Sequence, residues 1–125
     1  MRDSVLFKVA IVGGRDFSDY PMLEAKMDQL LINKLPFVVV VSGGAKGADT
    51  LGARYAEVRG LKAVVFEADW DQYGKSAGYR RNITIVENAD AVVAFWDGQS
   101  KGTKHTIDLT RKAGKRVAVV NTRLL

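Results

Sequence analysis

Three glycine-rich stretches hold most of the residues that could do chemistry in this chain: Gly13-Gly14-Arg15-Asp16-Phe17, Ser42-Gly43-Gly44-Ala45-Lys46-Gly47-Ala48-Asp49 and Trp96-Asp97-Gly98-Gln99-Ser100-Lys101-Gly102-Thr103. Each follows an apolar run and opens toward a helical pattern. Glycine permits positive φ and lets backbone approach a ligand closely. Free N–H groups at a helix start then face that ligand, and the helix dipole favours negative charge there. The chemistry implied is the holding of phosphate, with Lys46 as an added cation. The second stretch is not a P-loop, because no Gly-Lys-Ser/Thr closes it. In any one of these loops, plain turn geometry accounts for the glycines just as well. Three such loops on one edge point to a phosphate-bearing ligand.

Charged and aromatic residues flank the loops. Arg15 and Asp16 leave the first strand together, Arg15 suited to an anionic group and Asp16 to a ribose hydroxyl or to work as a base; the alternative is a surface ion pair. Gly78-Tyr79-Arg80-Arg81-Asn82 opens a helix. Arginines there oppose the dipole unless an anion lies near, so one of Arg80 and Arg81 is expected in the crevice and the other in solvent. Asn82 is suited to reading a base or holding a loop. Trp70, Tyr73 and Tyr79 are suited to stacking on a base, or to capping the core beneath a long loop. Asp16 and Arg81 are the candidates for catalysis. His105, the single histidine, has no ligand spacing around it, so no metal is expected and it reads as a polar surface residue. No Gly-x-Ser-x-Gly elbow is present, which argues against a serine hydrolase.

The elements that must position these residues follow from the apolar pattern. Strands are predicted at Phe7–Val12, Phe37–Val41, Ala63–Phe66, Ala91–Trp96 and Arg116–Val120. Between them, helical spacing marks Tyr20, Leu23, Met27, Leu30 and Leu31, then Ala48, Leu51, Tyr55 and Val58 up to Gly60, then Tyr79, Ile83 and Val86, then Thr106, Ile107 and Thr110 up to Gly114. The segment from Glu67 to Gly78 reads as a polar, aromatic loop. Short β-branched strands, apolar on both faces and alternating with helices, predict an α/β, doubly wound parallel sheet. In such sheets ligands sit past the carboxyl ends of the strands, where the order reverses. Periodicity does not give the strand order.

Composition bounds the rest. The 125 residues suit one domain, 1–125, with 47% hydrophobic residues for a core. No cysteine is present, which removes disulfides, thiolate metal sites and cysteine nucleophiles. The apolar run near the start is too short to span a membrane, and a cytoplasmic location without membrane partners is expected. Nineteen basic against 14 acidic residues leave a net charge of +5, which suits either an anionic partner or scattered surface lysines.

Taken together, GGRDF, SGGAKGAD, ADW, GKSAGYRRN, AFWDGQSKGT and KRVAVVN resemble the YspA-type branch of the SLOG superfamily from Val9 to about Val120. The resemblance extends to the LOG phosphoribohydrolases and to the Rossmann-like domain of the DNA-processing DprA proteins. It implies a Rossmann-like five-stranded sheet of order 3-2-1-4-5 with helices on both faces, and a nucleotide-like small molecule as ligand, without a separate cofactor. LOG enzymes carry a Pro-Gly-Gly-x-Gly-Thr loop followed by glutamates. Here Gly102-Thr103 remains, and Lys104-His105-Thr106 stands where the glutamates would be. Arg80 or Arg81 matches the catalytic arginine. A binding module, sensing or sequestering a phosphorylated ligand, is therefore the first reading. Its site would comprise Gly13, Gly14, Arg15, Asp16, Ser42, Gly43, Gly44, Lys46, Gly47, Asp49, Arg80, Arg81, Asn82, Asp97, Gly98, Ser100, Gly102 and Thr103. An N-glycosidic hydrolase, with Asp16 or another crevice carboxylate as acid, is the second. DprA-like single-stranded DNA binding is the third, and nucleic-acid affinity is expected to be weak. A homodimer is expected by resemblance only.

Overall fold

The computed structural model describes residues 6–123. Five parallel strands form one sheet: β1 (Phe7–Gly13), β2 (Val38–Ser42), β3 (Lys62–Val65), β4 (Ala91–Trp96) and β5 (Arg116–Asn121), in the order β3-β2-β1-β4-β5. The helices are α1 (Tyr20–Leu30), α2 (Ala48–Arg59), a single turn α3 (Trp70–Tyr73), α4 (Ala77–Glu87) and α5 (Lys101–Lys112). Two cores result. In one, Leu23 and Met27 of α1 and Tyr55 of α2 pack with Val9, Ile11, Val40 and Phe95 of the sheet. In the other, Ile85 of α4 and Ile107 of α5 pack with Ala10, Val12, Val92 and Ala94. This is the expected Rossmann-like α/β fold. Neighbouring positions of β1 supply opposite cores, so its central residues are buried on both faces and must be apolar.

Caps set the helix limits. The Asp19 carboxylate accepts from the Met22 amide at 3.1 Å, and Pro21 fits the first turn of α1. α2 stops at Gly60, which adopts the left-handed conformation with φ 70°. Tyr55 and Arg59 of α2 both donate to Asp28 of α1, at 2.6 and 3.0 Å, which fixes these two helices against each other.

Three details depart from the sequence reading. The edge strands β3 and β5 are largely exposed rather than buried on both faces, since each has a neighbour on one side only. α4 buries Ala77, Asn82, Ile85 and Val86, and leaves Tyr79 and Ile83 exposed. The polar loop after β3 contains α3, started by the Asp69 carboxylate accepting from the Gln72 amide at 3.1 Å. The chain steps outward from β1 to β2 and β3, then crosses back to β4 on the other side of β1. The loops leaving β1 and β4 therefore diverge and open a crevice at the carboxyl edge.

Candidate functional site

A cleft of about 340 Å³ occupies that crevice. Gly13 and Arg15 line it from the end of β1, Ala45 and Asp49 from the second loop, Trp70 and Lys75 from the α3 region, Tyr79, Arg81 and Asn82 from α4, and Ser100, Gly102 and Thr103 from the start of α5. Arg15, Lys75 and Arg81 stand against a single carboxylate, Asp49, so the lining is net positive.

The second glycine loop is closed upon itself. Asp49, 7% exposed, turns its carboxylate back to accept from the Ala45 amide at 3.1 Å. From the other side, the Arg81 guanidinium donates to the Gly43 carbonyl. A Cβ on Gly43 would lie 2.7 Å from Arg81 Nη1 and 2.9 Å from Asp49 Oδ2, so a larger residue would have to displace one of these side chains. The Ala48 amide, in the first turn of α2, donates to the Gly14 carbonyl at 3.2 Å. Within this loop the Ala45 and Ala48 amides thus carry internal partners. Burial pushes the Asp49 carboxyl up to about 6, against the opposing pull of the Ala45 amide, Arg81 and the Gly43 amide.

The first turn of α5 has no carboxylate of its own. Ser100 Oγ accepts from the Thr103 amide at 3.4 Å and lies 3.1 Å from Thr103 Oγ1. The Lys101 and Gly102 amides have no acceptor among the described residues, and a Cβ on Gly102 would meet nothing within 4 Å. The turn before it is rigid. Asp97 Oδ1 accepts from the Gln99 and Ser100 amides at 2.8 and 2.9 Å, which hold this carboxyl below its usual range. Trp96 Nε1 donates to the Ser100 carbonyl at 3.0 Å.

The sequence-predicted site residues therefore divide. Gly13, Arg15, Asp49, Arg81, Asn82, Ser100, Gly102 and Thr103 meet in the cleft. Gly14, Asp16 and Asp97 line an adjoining groove of about 620 Å³, which shares Arg15 and Ser100 with the cleft. Ser42 and Gly43 are buried behind the loop, while Gly44, Lys46 and Gly98 are outside the lining, with Lys46 in solvent. Gly47 packs on the backbone of Gly14 and Arg15. Arg80 points out, its guanidinium 4.3 Å from the Tyr73 ring centre. His105 is half-buried rather than a free surface residue; it meets the edge of Tyr79 at 4.4 Å between ring centres, and Asn82 Nδ2 lies 3.2 Å from its Nδ1. Lys75 is a cleft residue that sequence reasoning misses; its place in GKSAG, just before α4, is the available signal. Among the described residues no group of three or more acidic, histidine or cysteine side chains is arranged to hold a metal ion. No described helix is long and apolar enough to cross a membrane.

The family model for the YspA, cpYpsA-related SLOG family matches residues 7–73, more than half of the chain. The chain belongs to that family. It is 38% identical over 122 residues to the Gene 61 protein of Mycobacterium phage D29, covering 91% of this chain and 94% of the relative. Among solved structures, DNA processing protein A (DprA) of Streptococcus pneumoniae matches with a TM-score of 0.75 and 24% identity, over 96% of this chain and 52% of that one. DprA of Helicobacter pylori, studied for its single-stranded DNA binding mode, matches with a TM-score of 0.71 and 21% identity, over 94% of this chain and 66% of that one. This SLOG chain thus spans about half to two thirds of the DprA chains, and at these identities the likeness establishes the shared fold.

Proposed function

We propose that the cleft binds a nucleotide or nucleotide-derived phosphorylated small molecule. The observation that carries this is that Arg15, Lys75 and Arg81 line one cleft together with Ser100, Gly102 and Thr103 at the start of α5 and with Trp70 and Tyr79. Cations and unpartnered amides suit a phosphate, and the aromatic rings suit a base or sugar. The volume falls within the range of small-ligand sites. The phosphate belongs at Ser100–Thr103 rather than in the second glycine loop, whose Ala45 amide already holds an internal carboxylate. Asp16 and Asp97, in the adjoining groove, would meet a second sugar if the ligand continues past Arg15.

Small molecules released from natively purified protein and identified by mass spectrometry would name the ligand. Calorimetry with AMP and ADP-ribose should then show binding that Arg15→Ala weakens by roughly tenfold or more, as expected for a lost charge-assisted contact. Absence of any bound phosphorylated compound, with no affinity for either probe, would refute the reading. Hydrolysis would have to draw its acid from Asp49, which lines the cleft but is held by the Ala45 amide, or from Asp16 in the adjoining groove, and we favour binding over turnover.

A second reading rests on the exposed aromatic rim. Trp70 is 53% and Tyr79 47% exposed, Tyr73 lies beside them, and Lys75 and Arg80 flank the group. Rings and cations in this arrangement suit single-stranded nucleic acid, and the Helicobacter pylori DprA, which shares this fold, has a single-stranded DNA binding mode.

A further inference from the structure

Asn82 sits at the back of the cleft, 7% exposed, and its two amide atoms are assigned by their partners. Arg81 Nε can only donate, so the atom 3.1 Å from it is the Asn82 oxygen. The Gly102 carbonyl can only accept, so the atom 3.3 Å from it is the Asn82 nitrogen. That nitrogen also lies 3.2 Å from His105 Nδ1, which must therefore accept. The imidazole is then neutral, with its proton on Nε2. A continuous chain results: His105 accepts from Asn82, Asn82 accepts from Arg81, and Arg81 donates to the Gly43 carbonyl. It joins α5 to α4 and to the loop after β2, passing through the cation that faces the ligand.

We infer that His105 is a positioning residue that makes the cleft responsive to acid: as an acceptor it holds Asn82 and, through it, Arg81 in place, and as an imidazolium it releases them. This regulation rests on the reading of the cleft as a ligand site. Protonation at Nδ1 sets an N–H against the Asn82 N–H₂, so the amide must turn or withdraw. Either movement removes the acceptor that aligns the Arg81 guanidinium. The groups facing the ring are Tyr79 by its edge and Asn82, both on α4, with Arg81 one residue further; on its own helix Asp108 favours the cation and is itself paired to Lys104 at 2.8 Å, with Lys101 a turn earlier. Burial outweighs Asp108 and keeps the imidazole below its ordinary value, so the neutral, holding form prevails at neutral pH.

The chain has one histidine, so its ring signals are unambiguous. Nitrogen-15 NMR of the full chain should show the Nε2–H tautomer near neutral pH. The Asn82 side-chain amide signals should shift with the same midpoint as the ring, below the ordinary histidine value of about 6.5. An Nδ1–H tautomer, or Asn82 signals indifferent to the ring, overturns the inference whether or not any ligand binds. With AMP as probe, wild-type affinity should fall by roughly tenfold through that midpoint, the scale of one misaligned charged contact. His105→Gln, which retains an acceptor and does not titrate, should lack this limb. The difference between the two profiles removes the titration of the phosphate and of Asp49. Identical profiles overturn the inference while leaving the binding reading intact. Failure of AMP to bind at any pH counts against the binding reading, and the NMR result then decides the relay alone.

Discussion

Replacing Asp49 by asparagine should change the pH dependence of stability in a calculable way. The carboxyl is buried, and burial outweighs its amide partners and Arg81, raising it from 3.8 to about 6. In that window the folded state binds more protons than the unfolded state, so stability due to this group is present below about 3.8 and is lost as pH rises through about 6. The interval of roughly two pH units corresponds to about 3 kcal/mol, at about 1.4 kcal/mol per unit. An asparagine in this place cannot titrate. Whatever constant penalty it incurs by offering a poorer partner to the Ala45 amide, it removes the slope. Urea unfolding of both proteins, followed by circular dichroism between about pH 4 and pH 8, gives two stability curves. Their difference cancels every other titrating group that the substitution leaves undisturbed. Over this window, which stops short of full protonation in the unfolded chain, wild type should gain on the variant by about 2 kcal/mol or slightly more on going from the alkaline to the acid end. A flat difference, or one in which wild type gains toward alkaline pH, would mean that the amides, the helix start and Arg81 dominate burial, and would refute the reasoning.

Further outcomes follow from the same geometry. Lys46→Ala should leave the affinity for AMP within about twofold of wild type, because Lys46 is exposed outside the cleft, whereas Arg81→Ala should lower it by roughly tenfold or more in calorimetry. Gly47→Ala should destabilise the fold by at least about 2 kcal/mol in denaturant unfolding, since φ is 77° and a Cβ would lie 2.2 Å from the Gly14 carbonyl oxygen; Gly98→Ala, at φ 85° with nothing within 4 Å, should cost only about 1 kcal/mol. Retention on single-stranded DNA should vanish near physiological salt, as expected of scattered cations. Salt-resistant retention that Trp70→Ala or Tyr79→Ala abolishes would instead favour the rim as the working surface.

The sheet is legible in the sequence because its buried centre leaves little choice: the runs Val9–Val12, Val38–Val41 and Val92–Phe95 are apolar, and the helices between them end at recognisable stops such as Gly60. The order of the strands is implied only by family resemblance, since a parallel strand looks the same beside either neighbour. The buried face of α4 escapes the apolar pattern because its core side includes polar Asn82, whose burial is compensated by His105, Gly102 and Arg81, none of them close in sequence except Arg81. The turn α3 has a local signal, Asp69 three residues before Gln72, that resembles a helix start, but an aromatic and glycine-rich context obscures it. His105 reads as a surface residue because nothing in its own segment announces Tyr79 and Asn82 across from it.

The most consequential difference concerns which helix start is open. Both α2 and α5 begin at the crevice, each after a glycine-rich stretch expected from sequence to hold phosphate. Yet Asp49 lies in the first turn of α2 and its own carboxylate reaches the Ala45 amide, while the Gly14 carbonyl takes the Ala48 amide. An external phosphate there would displace a buried carboxylate and meet its repulsion. At α5 the corresponding turn carries Ser100, Gly102 and Thr103 and has no acidic residue. The glycine-rich loop after β2 is therefore braced by Asp49 on one side and Arg81 on the other. Arg81 lines the same cleft as Ser100, Gly102 and Thr103 at the start of α5. On the proposed reading, an anion seated at α5 would share the guanidinium with the Gly43 carbonyl, and its affinity and the bracing of the loop would then depend on the same side chain.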